Sequence, residues 1–73
     1  MKNIKKIRVM RDYTQIKVYM ETGITQSTLS KYESGALLPT AENLIKLAAY
    51  YKTSTDYLLD LTDDPTPARS RPR

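Results

Sequence analysis

Residues 15–33 read QIKVYMETGITQSTLSKYE, and this stretch decides the fold. Gly23 divides it into two short patterns with apolar residues at helical spacing. Val18 precedes the glycine, whereas Leu29 and Tyr32 follow it three residues apart and therefore share one face of a helix. Between these two lie short polar side chains and one lysine. The second pattern should therefore bury one side and leave the opposite side polar.

Hydroxyl residues mark the start of both patterns. Thr14 and Thr25 each stand where a side-chain oxygen can accept a hydrogen bond from the first helical turn. Gly23 adopts positive φ at little cost and so ends the first helix. The spacing predicts helices over about 15–22 and 26–33 joined by a tight turn, which is the physical description of a helix-turn-helix.

The rest of the chain shows helical periodicity and no sustained alternation of the strand type, so we expect an all-α fold of five helices. The three further helices are predicted at residues 2–11, 41–51 and 55–61. Thr40 and Ser54 are the expected caps of the last two. The apolar side chains available for the core of these three helices are Ile4, Ile7, Leu44, Leu47, Ala48, Tyr51, Leu58, Leu59 and Leu61.

The length of 73 residues favours a single domain, which we place at residues 1–61. Residues 62–73 are polar and rich in Pro and Arg, so we expect an extended or disordered tail. The exposure of Leu37 and Leu38 is open, because either could join the core or both could form an interaction patch. The first residues are charged at once, so we expect no secretory signal, no membrane span and a cytoplasmic location.

The composition removes several kinds of chemistry. There is no cysteine and no histidine, which excludes zinc sites with the usual ligands and Ser-His-Asp or Cys-His catalysis. No glycine-rich phosphate loop and no supported pair of carboxylates is apparent. We therefore expect neither an enzyme nor a bound cofactor or metal.

The charge is distributed unevenly. The net charge is +4, and residues 1–35 carry seven lysines and arginines against three carboxylates. Residues 36–61 carry two basic side chains against three acidic ones. Positive charge in the half with the two-helix stretch favours a polyanionic partner, since phosphate contacts release counterions. Many small basic domains nevertheless bind no polyanion.

The combined series of motifs resembles the lambda-repressor-like, Cro-type helix-turn-helix domains (XRE family) of bacteria and phages. The resemblance covers about residues 4–61 and implies a compact five-helix DNA-binding domain with the helix-turn-helix as helices 2 and 3. Its motifs are Ile7-Arg8, Thr14-Gln15, GITQSTLSKYESG at 23–35, Pro39-Thr40 and Ser54-Thr55-Asp56-Tyr57-Leu58-Leu59. Two positions depart from the pattern, with Tyr19 in place of a small residue and Thr22 in place of an apolar one.

The resemblance implies roles for particular residues, because in this family the third helix enters the major groove and the second lies across the backbone. The residues implied to contact bases are Gln26, Ser27 and Thr28. Those implied to contact phosphates are Gln15, Lys17, Ser30 and Lys31, with Gln15 also supporting Gln26. Arg8 and Glu33 are implied to form a structural ion pair. The alternatives are that residues 26–28 are helix-start residues and that Lys17 is only a solvated charge.

The function implied is that of a sequence-specific regulator that binds double-stranded DNA, a repressor acting as a homodimer. Lys2, Lys5 and Lys6 should increase the positive electrostatic potential of the surface without making a specific contact with DNA. The alternative is a protein-interaction module, such as an antitoxin or adaptor, that meets a toxin or another regulator through Leu37-Leu38 and the C-terminal region. The two functions can coexist in one protein.

Overall fold

A computed structural model of the chain describes residues 1–67. Its helices are α1 (Lys2–Met10), α2 (Gln15–Thr22), α3 (Gln26–Ser34), α4 (Ala41–Tyr51) and α5 (Thr55–Leu58). The described residues contain no strand, and the prediction of an all-α, five-helix fold is confirmed. The predicted tail from residue 68 onward, with its three arginines, lies outside the described residues.

Side-chain caps start four of the helices. The side chains of Thr14, Thr25, Thr40 and Ser54 accept from the backbone N–H three residues later, at 3.0–3.2 Å. Gly23 ends α2 with φ of +80°, as the sequence predicts. These local signals fix where α2 and α3 meet and hence the geometry of the helix-turn-helix.

The core lies where α3 packs against α1 and α2, and where α5 packs against α1 and α4. Its buried side chains are Ile4, Ile7, Val18, Ile24, Leu29, Tyr32, Leu47, Ala48, Tyr51, Tyr57 and Leu58. Tyr32 also forms a hydrogen bond, in which its hydroxyl accepts from the Asn43 amide at 2.9 Å. This bond ties α3 to α4 and so steadies the helix that carries most of the predicted site.

The fifth helix is shorter than predicted. It ends at Leu58 rather than at residue 61, and the chain then turns through Asp60, whose φ is +63°. The Asp60 carboxylate accepts from the backbone N–H groups of Lys2 (3.1 Å) and Asn3 (2.9 Å), so it satisfies the start of α1. This turn directs Leu61 outward, where it is 72% exposed, and Leu59 is 38% exposed, so the expectation that these two are available for burial is wrong.

Residues 62–67 lie against the domain without forming a helix or strand. The buried Asn3 amide donates to the carbonyl oxygens of Tyr57 (2.9 Å) and Thr62 (3.1 Å). The Thr53 hydroxyl donates to the carbonyl oxygen of Pro65 at 2.7 Å. The start of the proline-containing segment is therefore fastened at two places, while the domain boundary at 61 stays a prediction.

The two departures from the family pattern are both accommodated. Tyr19 is 46% exposed and lies on the outer side of α2. The Thr22 hydroxyl donates to the Val18 carbonyl oxygen at 2.7 Å and accepts from the Ile24 N–H at 3.2 Å. A polar side chain at position 22 is tolerated because both hydrogen-bonding functions of its hydroxyl are satisfied at the turn.

Candidate nucleic-acid interface

The helix α3 presents one polar face to solvent. Leu29 and Tyr32 are buried, with 0% and 2% exposure. The positions on the opposite side that the sequence assigned to DNA, namely Gln26, Ser27, Ser30 and Lys31, are all exposed. The apolar pair therefore orients the helix so that these polar side chains face solvent.

Thr28 differs from its two neighbours in the first turn. It is half-buried, and its hydroxyl accepts from the hydroxyl of Thr25 at 2.9 Å. Thr25 at the same time caps the helix by accepting from the Thr28 N–H at 3.2 Å. Gln26 and Ser27 are thus the freely presented side chains at the start of α3, while Thr28 is engaged with the cap.

The end of α3 is tied to α1 by an ion pair. Arg8 Nε lies 2.6 Å from Glu33 Oε2, and Arg8 Nη2 lies 3.1 Å from Glu33 Oε1. The side chains are only 14% and 5% exposed. The hydrogen bond to Glu33 raises the pKa of the Arg8 guanidinium, although partial burial opposes the shift. Arg8 Nη1 also donates to the carbonyl oxygen of Tyr13 at 2.8 Å, which links the loop before α2 to the same pair.

Gln15 joins this pair. Its Nε2 donates to Glu33 Oε1 at 3.1 Å, so Arg8, Gln15 and Glu33 form one hydrogen-bonded group, which we call the Glu33 cluster. Within the described residues Gln15 forms no hydrogen bond with Gln26, so the support expected between the two glutamines is not formed here. The cluster instead connects α1, the start of α2 and the end of α3 through a single carboxylate.

Lys17 is engaged on the outer side of α2. Its Nζ lies 2.7 Å from Glu21 Oε1 and 5.4 Å from the centre of the Tyr13 ring. The Tyr50 hydroxyl donates to the same Glu21 oxygen at 2.8 Å. Burial and this hydrogen bond raise the pKa of Tyr50 to about 12. Any anion that bound Lys17 would have to displace Glu21 from this exposed ion pair. Lys31, by contrast, forms no ion pair within residues 1–67.

A small cleft opens between α1 and α3, beside the Glu33 cluster. Its volume is about 200 Å³, and it is lined by Lys5, Arg8, Gln15, Ser30, Glu33 and Ser34. We call it the α1–α3 cleft. Lys5 lines this cleft, although the sequence assigned it only a general electrostatic effect. The signal was available, since Lys5 lies three residues before Arg8 and therefore on the same side of α1.

Residues 1–67 bring together no three His, Cys, Asp or Glu side chains that could hold a metal ion. In the same range, no helix has both the length and the apolar character needed to cross a bilayer.

A family model described as helix-turn-helix matches residues 4–58. The chain belongs to the helix-turn-helix family, of the XRE type, and the resemblance drawn from its motifs is confirmed at that level. This is a family of DNA-binding transcription regulators and not a family of enzymes.

Three relatives show the range of similarity. An uncharacterised HTH-type transcriptional regulator of Bacillus subtilis strain 168, YobD, is 34% identical over 68 residues, which is 93% of this chain and 61% of the relative. The HTH-type transcriptional regulator ImmR of the same strain is 38% identical over 58 residues, covering 80% and 46%. The cryptic phage CTXphi transcriptional repressor RstR of Vibrio cholerae serotype O1 is 47% identical over 45 residues, covering 62% and 40%.

The chain thus spans about half the length of the curated relatives it matches, between 40% and 61% of the three named. No solved structure gives a significant match to it.

Proposed function

We propose that this protein is a sequence-specific regulator of transcription that binds double-stranded DNA with α3 in the major groove. The observation that carries the proposal is the exposed polar face of α3, held in place by the buried Leu29 and Tyr32 and by the Glu33 cluster. Gln26 and Ser27 would read base edges, since a glutamine amide matches the N6/N7 edge of adenine. Thr28 would contribute through its methyl group or after release from Thr25.

Phosphate contacts would fall around this helix. Ser30 and Lys31 lie on the exposed face of α3, Gln15 begins the neighbouring α2, and positive charge is concentrated in residues 1–35. Lys17 would take part only by exchanging its ion pair with Glu21 for a phosphate. Such contacts position the protein on the duplex, whereas the base contacts supply the sequence preference.

The regulator would act as a homodimeric repressor in the cytoplasm. One helix of nine residues meets too little of a duplex for tight and selective binding, and two copies on half-sites roughly one helical turn apart would double that surface. Repression is the role in the printed name of the relative RstR. Dimers would produce selected sites with an inverted repeat at about 10 base-pair spacing.

Selection from a random duplex library at fixed salt, followed by titration of single duplexes, tests the proposal. We expect one family of sites, and Gln26→Ala should weaken binding to it by roughly 1–3 kcal/mol and relax one base position. Lys46→Ala, an exposed change on α4, is the control and should leave the sequence preference unchanged. Equal affinity for all duplexes would contradict the proposal.

A protein-interaction role remains as the second candidate, because the structure leaves Leu37 and Leu38 exposed by 45% and 72%. In that role the protein would be an antitoxin or adaptor whose partner covers this loop. A stoichiometric protein partner that is lost on Leu38→Asp, together with no duplex preference in the selection above, would favour it over the DNA-binding role.

A further inference from the structure

The α1–α3 cleft carries a positive charge that the rest of the fold does not neutralise. Arg8 and Glu33 compensate each other through their two hydrogen bonds, and the Glu33 side chain is only 5% exposed. Within residues 1–67, Lys5 forms no ion pair. The cleft therefore has a net charge of one positive unit, supplied by an exposed ammonium at its edge.

The groups around this ammonium are hydrogen-bond donors. Ser30 contributes an exposed hydroxyl, and Gln15 has a second amide N–H besides the one that it directs at Glu33. The Ser34 hydroxyl is already used, because it donates to the Lys31 carbonyl oxygen at 3.2 Å and accepts from the Ala36 N–H at 3.3 Å. An ammonium, a hydroxyl and an amide around one space are the donors that an oxyanion needs.

The size and position of the cleft indicate which kind of anion it can hold. Its volume of about 200 Å³ is below the roughly 300–1,000 Å³ of sites for whole small molecules, so a single anionic group fits better than a cofactor. Ser30 lies four residues after Gln26, on the same face of α3. A duplex whose bases meet Gln26 would run one strand of its backbone past Ser30 and the cleft.

We propose that this cleft is a phosphate site, in which Lys5 and Ser30 hold one backbone phosphate of duplex DNA over a floor formed by the Glu33 cluster. The proposal rests on the DNA-binding function proposed above and adds a contact from α1 to it. Lys5 would thereby contact one particular phosphate rather than only add to the general electrostatic attraction of DNA. The Glu33 cluster keeps the Gln15 amide directed into the cleft and shields the Glu33 carboxylate from the phosphate.

The test compares two adjacent lysines of one helix. Affinity for the duplex recovered by selection is measured over about 50–200 mM salt for Lys5→Ala and for Lys6→Ala, which makes the same charge change outside the cleft. Lys5→Ala should lower the magnitude of the slope of log K against log salt by about 0.9, the value of one phosphate contact. Lys6→Ala should keep the wild-type slope, and Lys5→Arg should restore it. Urea unfolding should show that all three variants are folded.

Duplexes with one neutral methylphosphonate at each backbone position locate the phosphate. One position should weaken the wild type and have no effect on Lys5→Ala, because the contact is already lost in that variant. Equal effects of Lys5→Ala and Lys6→Ala on the slope, or no such position, would overturn the phosphate site and leave the DNA-binding function standing. A wild-type protein without any preferred duplex would overturn the proposed function and this inference together.

Discussion

Replacement of Glu33 by glutamine tests how α3 is held against α1 and α2. The side chain keeps its shape but loses its charge, while one of its two oxygens becomes an amide group that donates instead of accepting. In the wild type the two oxygens accept from Arg8 Nε at 2.6 Å, Arg8 Nη2 at 3.1 Å and Gln15 Nε2 at 3.1 Å. The variant can satisfy only part of these three donors.

The size of the effect follows from the burial of the pair. Breaking a fully buried ion pair costs about 3–5 kcal/mol, whereas an exposed pair is worth about 0–1 kcal/mol. The Arg8 side chain is 14% exposed and keeps its bond to the Tyr13 carbonyl oxygen, so its charge can be partly rehydrated. We therefore expect a loss of about 2 kcal/mol in the free energy of unfolding, intermediate between the two limits.

Urea unfolding followed by far-ultraviolet circular dichroism at neutral pH measures this loss, with an unchanged m value. Thermal unfolding should show a decrease in Tm of roughly 8–16 °C, given the size of the domain. Glu21→Gln is the matched control, because it breaks an exposed ion pair, in which the side chains of Lys17 and Glu21 are 48% and 45% exposed. This variant should change the free energy of unfolding by less than about 1 kcal/mol. Equal losses for the two variants would refute the reasoning from burial.

Three further changes probe other parts of the fold. Gly23→Ala should cost about 1–2 kcal/mol in urea unfolding, because φ is +80° and no atom lies within 4 Å of the added Cβ, so that only backbone strain acts. Asp60→Gly should cost about 1 kcal/mol by removing the acceptor at the start of α1, because glycine tolerates the φ of +63°; the exposed Asp63→Gly is its control, and a similar loss there would contradict the capping role. Burial and the bond to Glu21 raise the pKa of Tyr50 from 10.0 to about 12. The folded protein therefore holds the phenol proton more tightly than the unfolded chain, and the stabilisation from this difference is complete below pH 10 and is lost as pH rises to 12. Tyr50→Phe should therefore show a shallower decline of stability over this range, and an unchanged decline would count against the assignment.

Local signals made most of the fold predictable from the sequence. Thr14, Thr25 and Gly23 act on backbone groups within three or four residues, so their effects can be read along the chain. The buried side of α3 was equally readable, since Leu29 and Tyr32 have one helical spacing and both lie in the core. These features depend on nearby residues and can therefore be read from the sequence.

The features that the sequence did not reveal depend on distant partners. The early end of α5 follows from Asp60 turning towards α1, and no local residue indicates that contact. The bond from Gln15 to Glu33 likewise joins residues 18 apart in the chain. Lys5 was assigned only a general electrostatic effect, because its spacing from Arg8 places both on one side of α1 but does not show which residues of α2 and α3 lie opposite.

The contacts between Asp60 and the start of α1 have a consequence for the order of folding. The bonded residues are separated by 58 and 57 positions along the chain. The length-dependent part of the entropy cost of closing a loop of that size is about 3.6 kcal/mol. The contact is therefore expected to form after the local helix pair and to open before it, so that the amides of Lys2 and Asn3 exchange with solvent sooner than those of α3. Since Lys5 and Arg8 lie on α1, an opening that also displaced α1 would alter the α1–α3 cleft while α3 itself remained folded.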